Sequence, residues 1–398
     1  MLQEVKVVPF APESNRDRSL YSSALVARDF KELGSWSGAF GLYMGKKLYG
    51  NLKTPETVSF YQAWIQKPST VSSSGSVPFL ADNKGTDANF FKVFDFDFLS
   101  GRPFDNSDFE SKKHVAVISE SVARRLFHSI NVVGRPIELD HSEYKVCAVV
   151  RDVSTLTPVA YAQIWIPFST QSDYKVQTIS DITDIGSSMG PYAIVILARK
   201  TSDFPKIREE VMLNYKRMNA QLKSKQFYLD RMNRPYTQSF KAVQPYENEE
   251  FSMISYYYRQ GVLILILLLV PAINLSSMTQ SRLRRRVSEI GIRRAFGCSR
   301  REMIYNIIME NFIFTLIAGL IGLILCVIFG YFFSTTFFDE AFTNHLGKPA
   351  VSLKVLLNPV IFLFTLLFCF ILNLFSSSIP AWRASRTNIV NAIGGVNH

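Results

Sequence analysis

Two groups of residues in this 398-residue chain have the types and spacing for chemistry: the aspartates Asp95, Asp97, Asp105 and Asp108, and an arginine run from Arg282 to Arg301. Clustered carboxylates bind divalent cations or act as an acid–base pair. An EF-hand loop, however, needs glycine at its sixth position, and counting from Asp95 the first glycine, Gly101, comes seventh. Asp95 and Asp97 alternate with Phe94, Phe96 and Phe98, the pattern of a strand whose carboxylates face water. Spacing selects no hydrolytic pair among them. The chain carries no Gly-x-x-x-x-Gly-Lys-Ser/Thr phosphate loop, so ATP hydrolysis is not expected of it, and no Gly-x-Ser-x-Gly nucleophile elbow. The five histidines are scattered without a pair at ligand spacing, so no metal is expected. Of the four cysteines, Cys326 and Cys369 lie in apolar runs and Cys298 in the arginine-rich segment, which leaves Cys147 without a local disulfide partner.

The arginines have a different meaning. Residues 281–302 hold eight of them (Arg282, Arg284, Arg285, Arg286, Arg293, Arg294, Arg300, Arg301) against Glu289 and Glu302, and so supply +6 of the formal net charge of +11. The segment sits between two apolar runs of membrane length. A short basic loop between spans belongs on the cytoplasmic side. The chain's basicity is therefore topological, and nucleic acid is not an expected partner, since no aromatic–basic interleaving accompanies it. Within the loop, Val287, Ile290 and Arg294 share one helical face, and Ile292, Ala295 and Phe296 another. Gly297 suits a left-handed helix terminus. Ser299 and Glu302 then match a capping box that restarts a helix. Helix, glycine turn and capped restart together predict a compact knob.

The elements that must position this knob are apolar helices. Three spans are expected, at about 253–278, 303–333 and 358–379, each long enough to cross about 30 Å of hydrocarbon, which takes roughly 20 residues. Tyr256, Tyr257 and Tyr258 read as an interfacial belt on the first, and Pro271 as a kink within it. In the second, Gly319 and Gly322 permit close helix approach, within the chain or between two copies, and Glu310 is the only carboxylate in any span. Asn358-Pro359 opens the third and Pro380 closes it, which leaves Trp382, Arg383 and the C-terminus on the cytoplasmic side. By parity, residues 1–250 are expected outside the cytoplasm, yet the first thirty residues contain no apolar stretch resembling a signal peptide or anchor.

That first region reads as α+β with a mixed sheet. Lys113–Ser119 is a buried strand and Glu120–Phe127 a helix; Gly134–Leu139, Tyr144–Val150 and Tyr192–Ala198 are further strands. Ile207, Val211, Tyr215, Met218 and Leu222 form the apolar stripe of another helix.

Glu289-Ile-Gly-Ile-Arg-Arg-Ala-Phe-Gly-Cys-Ser299 resembles the cytoplasmic signature of FtsX-like and MacB-like ABC-transporter permeases. Ala88–Phe104, Val117–Phe127, Val133–Ile137 and Tyr144–Val153 resemble, in order, the MacB-like periplasmic core domain. Cys147 stands where a small residue, often glycine, is usual. The resemblance implies an α+β extracytoplasmic domain over residues 1–250 and an α-helical transmembrane permease domain of three spans over 251–398, in a bacterial inner membrane. It implies a separate ABC ATPase subunit carrying ATP and Mg, with no cofactor in this chain. It also implies a permease dimer, the lipid bilayer, and a periplasmic adaptor or outer-membrane component as partners. The family's first transmembrane helix, ahead of the outer domain, is expected to be missing here.

Residues 289–297 and Ser299 are the expected ATPase-coupling element: Glu289, Arg293 and Arg294 as polar contacts, Ile290, Ile292 and Phe296 as apolar footing, with Gly291, Ala295 and Gly297 between them. Lipid headgroups are the alternative partner of the arginines, expected for Arg282 to Arg286. The expected function is transmission of ATP-driven motion for export; a regulatory or scaffold role toward an extracytoplasmic partner is the alternative. A secondary transporter is disfavoured by the scarcity of ionisable groups in the spans.

Overall fold

The computed structural model describes residues 12–29, 34–63, 68–154, 157–172, 174, 186–241, 243–244, 251–285, 292–293, 296–332, 362–372 and 374. The chain divides into two compact units, one of residues 1–251 with 334–351 and one of residues 252–333 with 352–398.

The first unit is built on strands β1 (Ser19–Ser22), β2 (Leu25–Asp29), β3 (Ser35–Gly38), β4 (Thr57–Gln62), β5 (Ser69–Ser72), β6 (Phe79–Ala81), β7 (Asn83–Thr86), β8 (Phe98–Gly101), β9 (Val115–Ser119), β10 (Pro136–Leu139), β11 (Ser142–Val150), β12 (Ile164–Pro167), β13 (Tyr192–Leu197), β14 (Phe227–Asp230) and β15 (Tyr236–Thr237). Its helices are α1 (Leu42–Tyr49), α2 (Phe90–Val93), α3 (Asn106–Glu110), α4 (Glu120–Phe127), α5 (Phe204–Leu222) and α6 (Gln238–Lys241). A 12-stranded mixed sheet runs β15-β1-β13-β4-β7-β12-β9-β11-β10-β5-β6, with β8 added to β11, and β14-β2-β3 form a second sheet. β11 lies parallel to β9 and β12 parallel to β7; the other pairs are antiparallel. The α+β class with a mixed sheet is thus the one expected.

Alternation explains the cores. β13 is buried along its whole length: Tyr192, Ile194 and Ile196 enter one cluster, Ala193, Val195 and Leu197 another. α5 lies on the first cluster with Ile207, Val211, Tyr215, Met218 and Leu222, the predicted stripe, each side chain contributing about 1.5–3 kcal/mol by burial. β11 changes faces partway along. Tyr144 and Val146 pack in a third cluster, whereas Ala148 and Val150 pack in the second. The switch occurs at Cys147, where the register with β9 skips from Val146↔Ala116 to Ala148↔Val117, a bulge that inverts the side-chain sense of the strand. Gly101 of β8 faces this bulge at φ +74, and a Cβ there would lie 2.2 Å from the Cys147 carbonyl oxygen, so only glycine fits.

The second unit holds α7 (Met253–Arg285), α8 (Arg300–Phe332) and α9 (Phe362–Leu372). Among the described residues one stretch, Ile308–Phe329 of α8, is both helical and long and apolar enough to cross a membrane; α9 is a shorter apolar helix. α7 is helical through Pro271 and on to Arg285, beyond the expected end near 278. The 33 residues of α7 and the 33 of α8 are each about 50 Å long, more than the hydrocarbon thickness requires. The predicted N-cap at Asn358 and the closing Pro380 lie outside the described residues.

Candidate functional site

The four aspartates that invited a catalytic reading are all occupied by structural tasks. Asp97 pairs with Arg151 at 2.7 Å, and Asp95 accepts from the Ser14 hydroxyl at 3.2 Å. Asp105 and Asp108 close a capping box on α3, with Arg102 at 3.0 Å from Asp105 and Lys113 at 2.8 Å from Asp108. The backbone N–H of Asp108 and the Arg102 guanidinium hold the Asp105 carboxyl below its ordinary range. Residues 94–98 keep the predicted alternation, Phe94 and Phe96 inside and Asp95 and Asp97 outside, although the strand itself begins only at Phe98. Among the described residues no group of three or more His, Cys, Asp or Glu is placed to hold a metal. The Cys147 thiol donates to the Ala116 carbonyl, and burial pushes its pKa up to about 12, which makes it unreactive.

A different aspartate carries weight that its sequence context does not advertise. Asp87 accepts from the Ser59 hydroxyl at 2.7 Å, the Phe60 N–H at 2.8 Å and the Phe90 N–H at 3.0 Å, and so ties β4 to the start of α2. Burial pushes its pKa up to about 6 in spite of these donors. α2 in turn seats Phe90, Phe91 and Phe94 in an aromatic core with Phe96, Phe104 and Trp165.

The knob is the other site, and its backbone has the predicted form where it is described. Ile292 and Arg293 are helical. The Phe296 N–H donates to the Ile292 carbonyl at 3.1 Å and the Cys298 N–H to the Arg293 carbonyl at 3.1 Å. The second bond spans five residues, the closing bond of a Schellman turn, with Gly297 at φ +94 in its left-handed position. Ser299 follows at once. Its N–H donates to the Glu302 carboxylate at 2.9 Å, and the Glu302 N–H donates to its hydroxyl at 3.3 Å, the reciprocal capping box. The Ser299 N–H, and after it the Ser299 hydroxyl, hold the Glu302 carboxyl below its ordinary range. α8 starts on the next residue, Arg300. A stop and a restart within six residues fix the tip, and Phe296 stands on it 89% exposed, with Ile292 50% exposed one turn earlier. Glu289, Ile290, Gly291, Arg294 and Ala295 lie outside the described residues.

The glycines of the second span separate into two kinds. A Cβ on Gly319 would meet Leu366 of α9 at 2.5 Å, and the Phe312 and Phe370 rings touch edge to face at 5.0 Å. Position 312 meets 370 and position 319 meets 366, so α8 and α9 pack antiparallel with Gly319 at the contact. Among the described residues Gly322 has nothing within 4 Å of its would-be Cβ; with Leu325, Cys326, Ile328, Phe329 and Phe332 it lines an open apolar groove.

Comparison with known proteins assigns both parts of the chain. Residues 37–212 match the MacB-like periplasmic core domain and residues 261–389 the FtsX-like permease C-terminal domain. An uncharacterised ABC transporter permease, YknZ of Bacillus subtilis, is 22% identical over 244 residues, covering 60% of this chain and 54% of that protein. The macrolide export ATP-binding/permease protein MacB of Escherichia coli O157:H7 is 21% identical over 389 residues, 93% of this chain and 54% of that protein. The chain thus spans about half the length of these relatives. The solved periplasmic region of MacB from Actinobacillus actinomycetemcomitans aligns with 56% of this chain and 92% of its own at 15% identity, with a TM-score of 0.35.

Proposed function

Because the chain belongs to the MacB/FtsX-like ABC transporter permeases, we propose that it is the permease subunit that transmits ATP-driven motion from a separate ABC ATPase to an extracytoplasmic domain, in the service of export. The observation that carries this reading is the knob. A Schellman turn at Gly297 and a capping box at Ser299 hold an exposed Phe296 directly at the head of a 33-residue helix. A rigid tip joined without a loop to a long helix passes on a push, where a flexible loop would absorb it.

In this reading Phe296 and Ile292 form the apolar footing and Glu289, Arg293 and Arg294 the polar contacts. ATP and Mg belong to the ATPase, and this chain holds no cofactor and catalyses no reaction. Residues 1–250 lie on the periplasmic side of a bacterial inner membrane and the C-terminus in the cytoplasm, a reading the basic loop supports. A second permease copy and a periplasmic adaptor or outer-membrane component complete the assembly, and the groove at Gly322 leaves one helix face for such a neighbour.

The test is co-purification of the full chain in detergent with the ABC ATPases of its own cell. The parent retains an ATPase, and Phe296→Ala, Glu289→Lys and Arg293→Glu each weaken retention. An ATPase held equally by all four, or none held by the parent, removes the docking assignment.

A further inference from the structure

The last residues of the first unit before α7 are bound to the sheet by a ladder of rings. Tyr236 of β15 stacks on Phe240 of α6 at 4.4 Å between centroids and 21° between planes. Phe240 meets Phe251 edge to face at 5.4 Å and 86°, and Phe251 stands two residues before α7 begins at Met253. Behind Tyr236, the buried Arg234 places its guanidinium 5.7 Å from the ring centroid. The next side chain along, Lys241, holds the same helix to β1: its ammonium lies 5.0 Å from the Tyr21 ring centroid and donates to the Ser23 hydroxyl at 2.9 Å. The Val243 and Gln244 N–H groups both donate to the Phe240 carbonyl, at 3.2 and 3.1 Å, and turn the chain at the end of α6.

The sheet end of this ladder is well chosen for load. β15 pairs only through Tyr236↔Tyr21 and Thr237↔Leu20, and β1 pairs along its length with the fully buried β13. Leu20 enters the first core cluster and Tyr21 the second, so a displacement of β1 is felt in both. A two-residue strand has too few backbone bonds to bear a pull alone, and the rings and the ammonium supply the remaining attachment.

We propose that Phe240, braced by Lys241, is the relay residue through which motion of α7 enters the sheet of the outer domain. The proposal rests on the transmission reading above and specifies where in the outer domain the motion arrives. Phe240 acts by position: it holds Phe251 against Tyr236 and takes part in no bond-making. Removing its ring frees Phe251, two residues before α7, from the ladder on β15 while leaving the distant strands β9 and β11 untouched.

The experiment is hydrogen exchange followed by mass spectrometry on the full chain bound to its co-purified ATPase, without nucleotide and after trapping with ATP and vanadate. In the parent, trapping alters exchange both in α7 and in the amides of β1, α6 and β15. In Phe240→Ala and Lys241→Ala the change in α7 remains and the change in β1 and β15 disappears, with exchange at β15 and α6 raised about tenfold by the lost ring and cation contacts. Phe240→Tyr keeps the ring and restores the parent response. Unaltered exchange at β9 and β11 certifies the fold, and Phe240→Leu, which keeps an apolar side chain, replaces Phe240→Ala if that variant does not fold. A response at β1 that survives loss of the ring, or a parent response confined to α7, overturns the relay and leaves the transmission reading standing. A parent that responds in neither place overturns both.

Discussion

Gly297 offers the sharpest handle on the coupling account, because its substitution changes one thing only. At φ +94 it holds the left-handed position of the turn, and among the described residues beyond its chain neighbours no atom lies within 4 Å of where a Cβ would stand. An added side chain therefore meets no steric obstacle and pays only for its backbone conformation. An L-residue other than glycine is destabilised there by about 1–2 kcal/mol, and a β-branched one by more. If Phe296 is presented to the ATPase only when this turn is closed, that energy appears as a smaller fraction of docking-ready knob. The apparent Kd rises in proportion, by a factor of about 5–30 for Gly297→Ala. Gly297→Val exceeds it. Gly297→Asn lies nearer the parent, since asparagine enters the left-handed region more readily. The assay is a titration of the detergent-solubilised chain with its ABC ATPase, read by the fluorescence of a dye on the ATPase. Binding of Gly297→Ala and Gly297→Val within twofold of the parent would show that the turn does not present the docking surface. Asparagine as damaging as valine would show that something other than backbone handedness is being read.

Two further predictions concern stability. Asp87 has a folded pKa of about 6, above the ordinary 3.8, so the folded domain binds this proton more tightly than the unfolded chain does. Its carboxyl therefore favours folding as pH falls from above 6 toward 4, by about 3 kcal/mol across the window. Asp87→Asn removes that part of the pH dependence, and the parent-minus-variant difference in unfolding free energy at pH 7 and pH 4.5 measures it; a difference that does not change with pH refutes the assignment. In the second unit, Gly319→Val forces Leu366 of α9 aside and lowers the thermal midpoint in detergent, whereas Gly322→Val, facing open space, leaves it near the parent value. Equal sensitivity at the two glycines would contradict the α8–α9 packing.

Strongly periodic or chemically punctuated segments were legible from residue order alone. The five-residue stripe of α5, the buried strand at 115–119 with its following helix, the glycine turn and the Ser299–Glu302 box all stand where local rules place them. What escaped was non-local. β1 pairs with β13 and β15 across more than 170 residues, and nothing in Ser-Leu-Tyr-Ser announces those partners. Asn219 grips both the N–H and the carbonyl of Leu229, at 2.8 and 2.9 Å, a use of a helical asparagine that only the fold reveals. Asp140 and His141 turn the β10–β11 hairpin at φ +46 and +67 without the glycine that usually marks such a turn. At the site, residue types indicated the turn, the cap and the apolar tip. Asp87 went unnoticed because Ser59 and Phe60 are nearly thirty residues away, and the Phe240 ladder because its rings fall at no helical or strand period; the two roles of Gly319 and Gly322 cannot be separated until α9 is seen against one of them.

The central claim is tested most directly by a photocrosslinker placed at the tip itself. Benzoylphenylalanine in place of Phe296, in the full chain in native membranes, is irradiated and its adducts identified by mass spectrometry, with the same group at Ile321 of α8 as the comparison. The account predicts an adduct with an ABC ATPase at position 296 and none at position 321. Adducts at position 296 with lipid alone, or an ATPase adduct of equal yield from position 321, would contradict it.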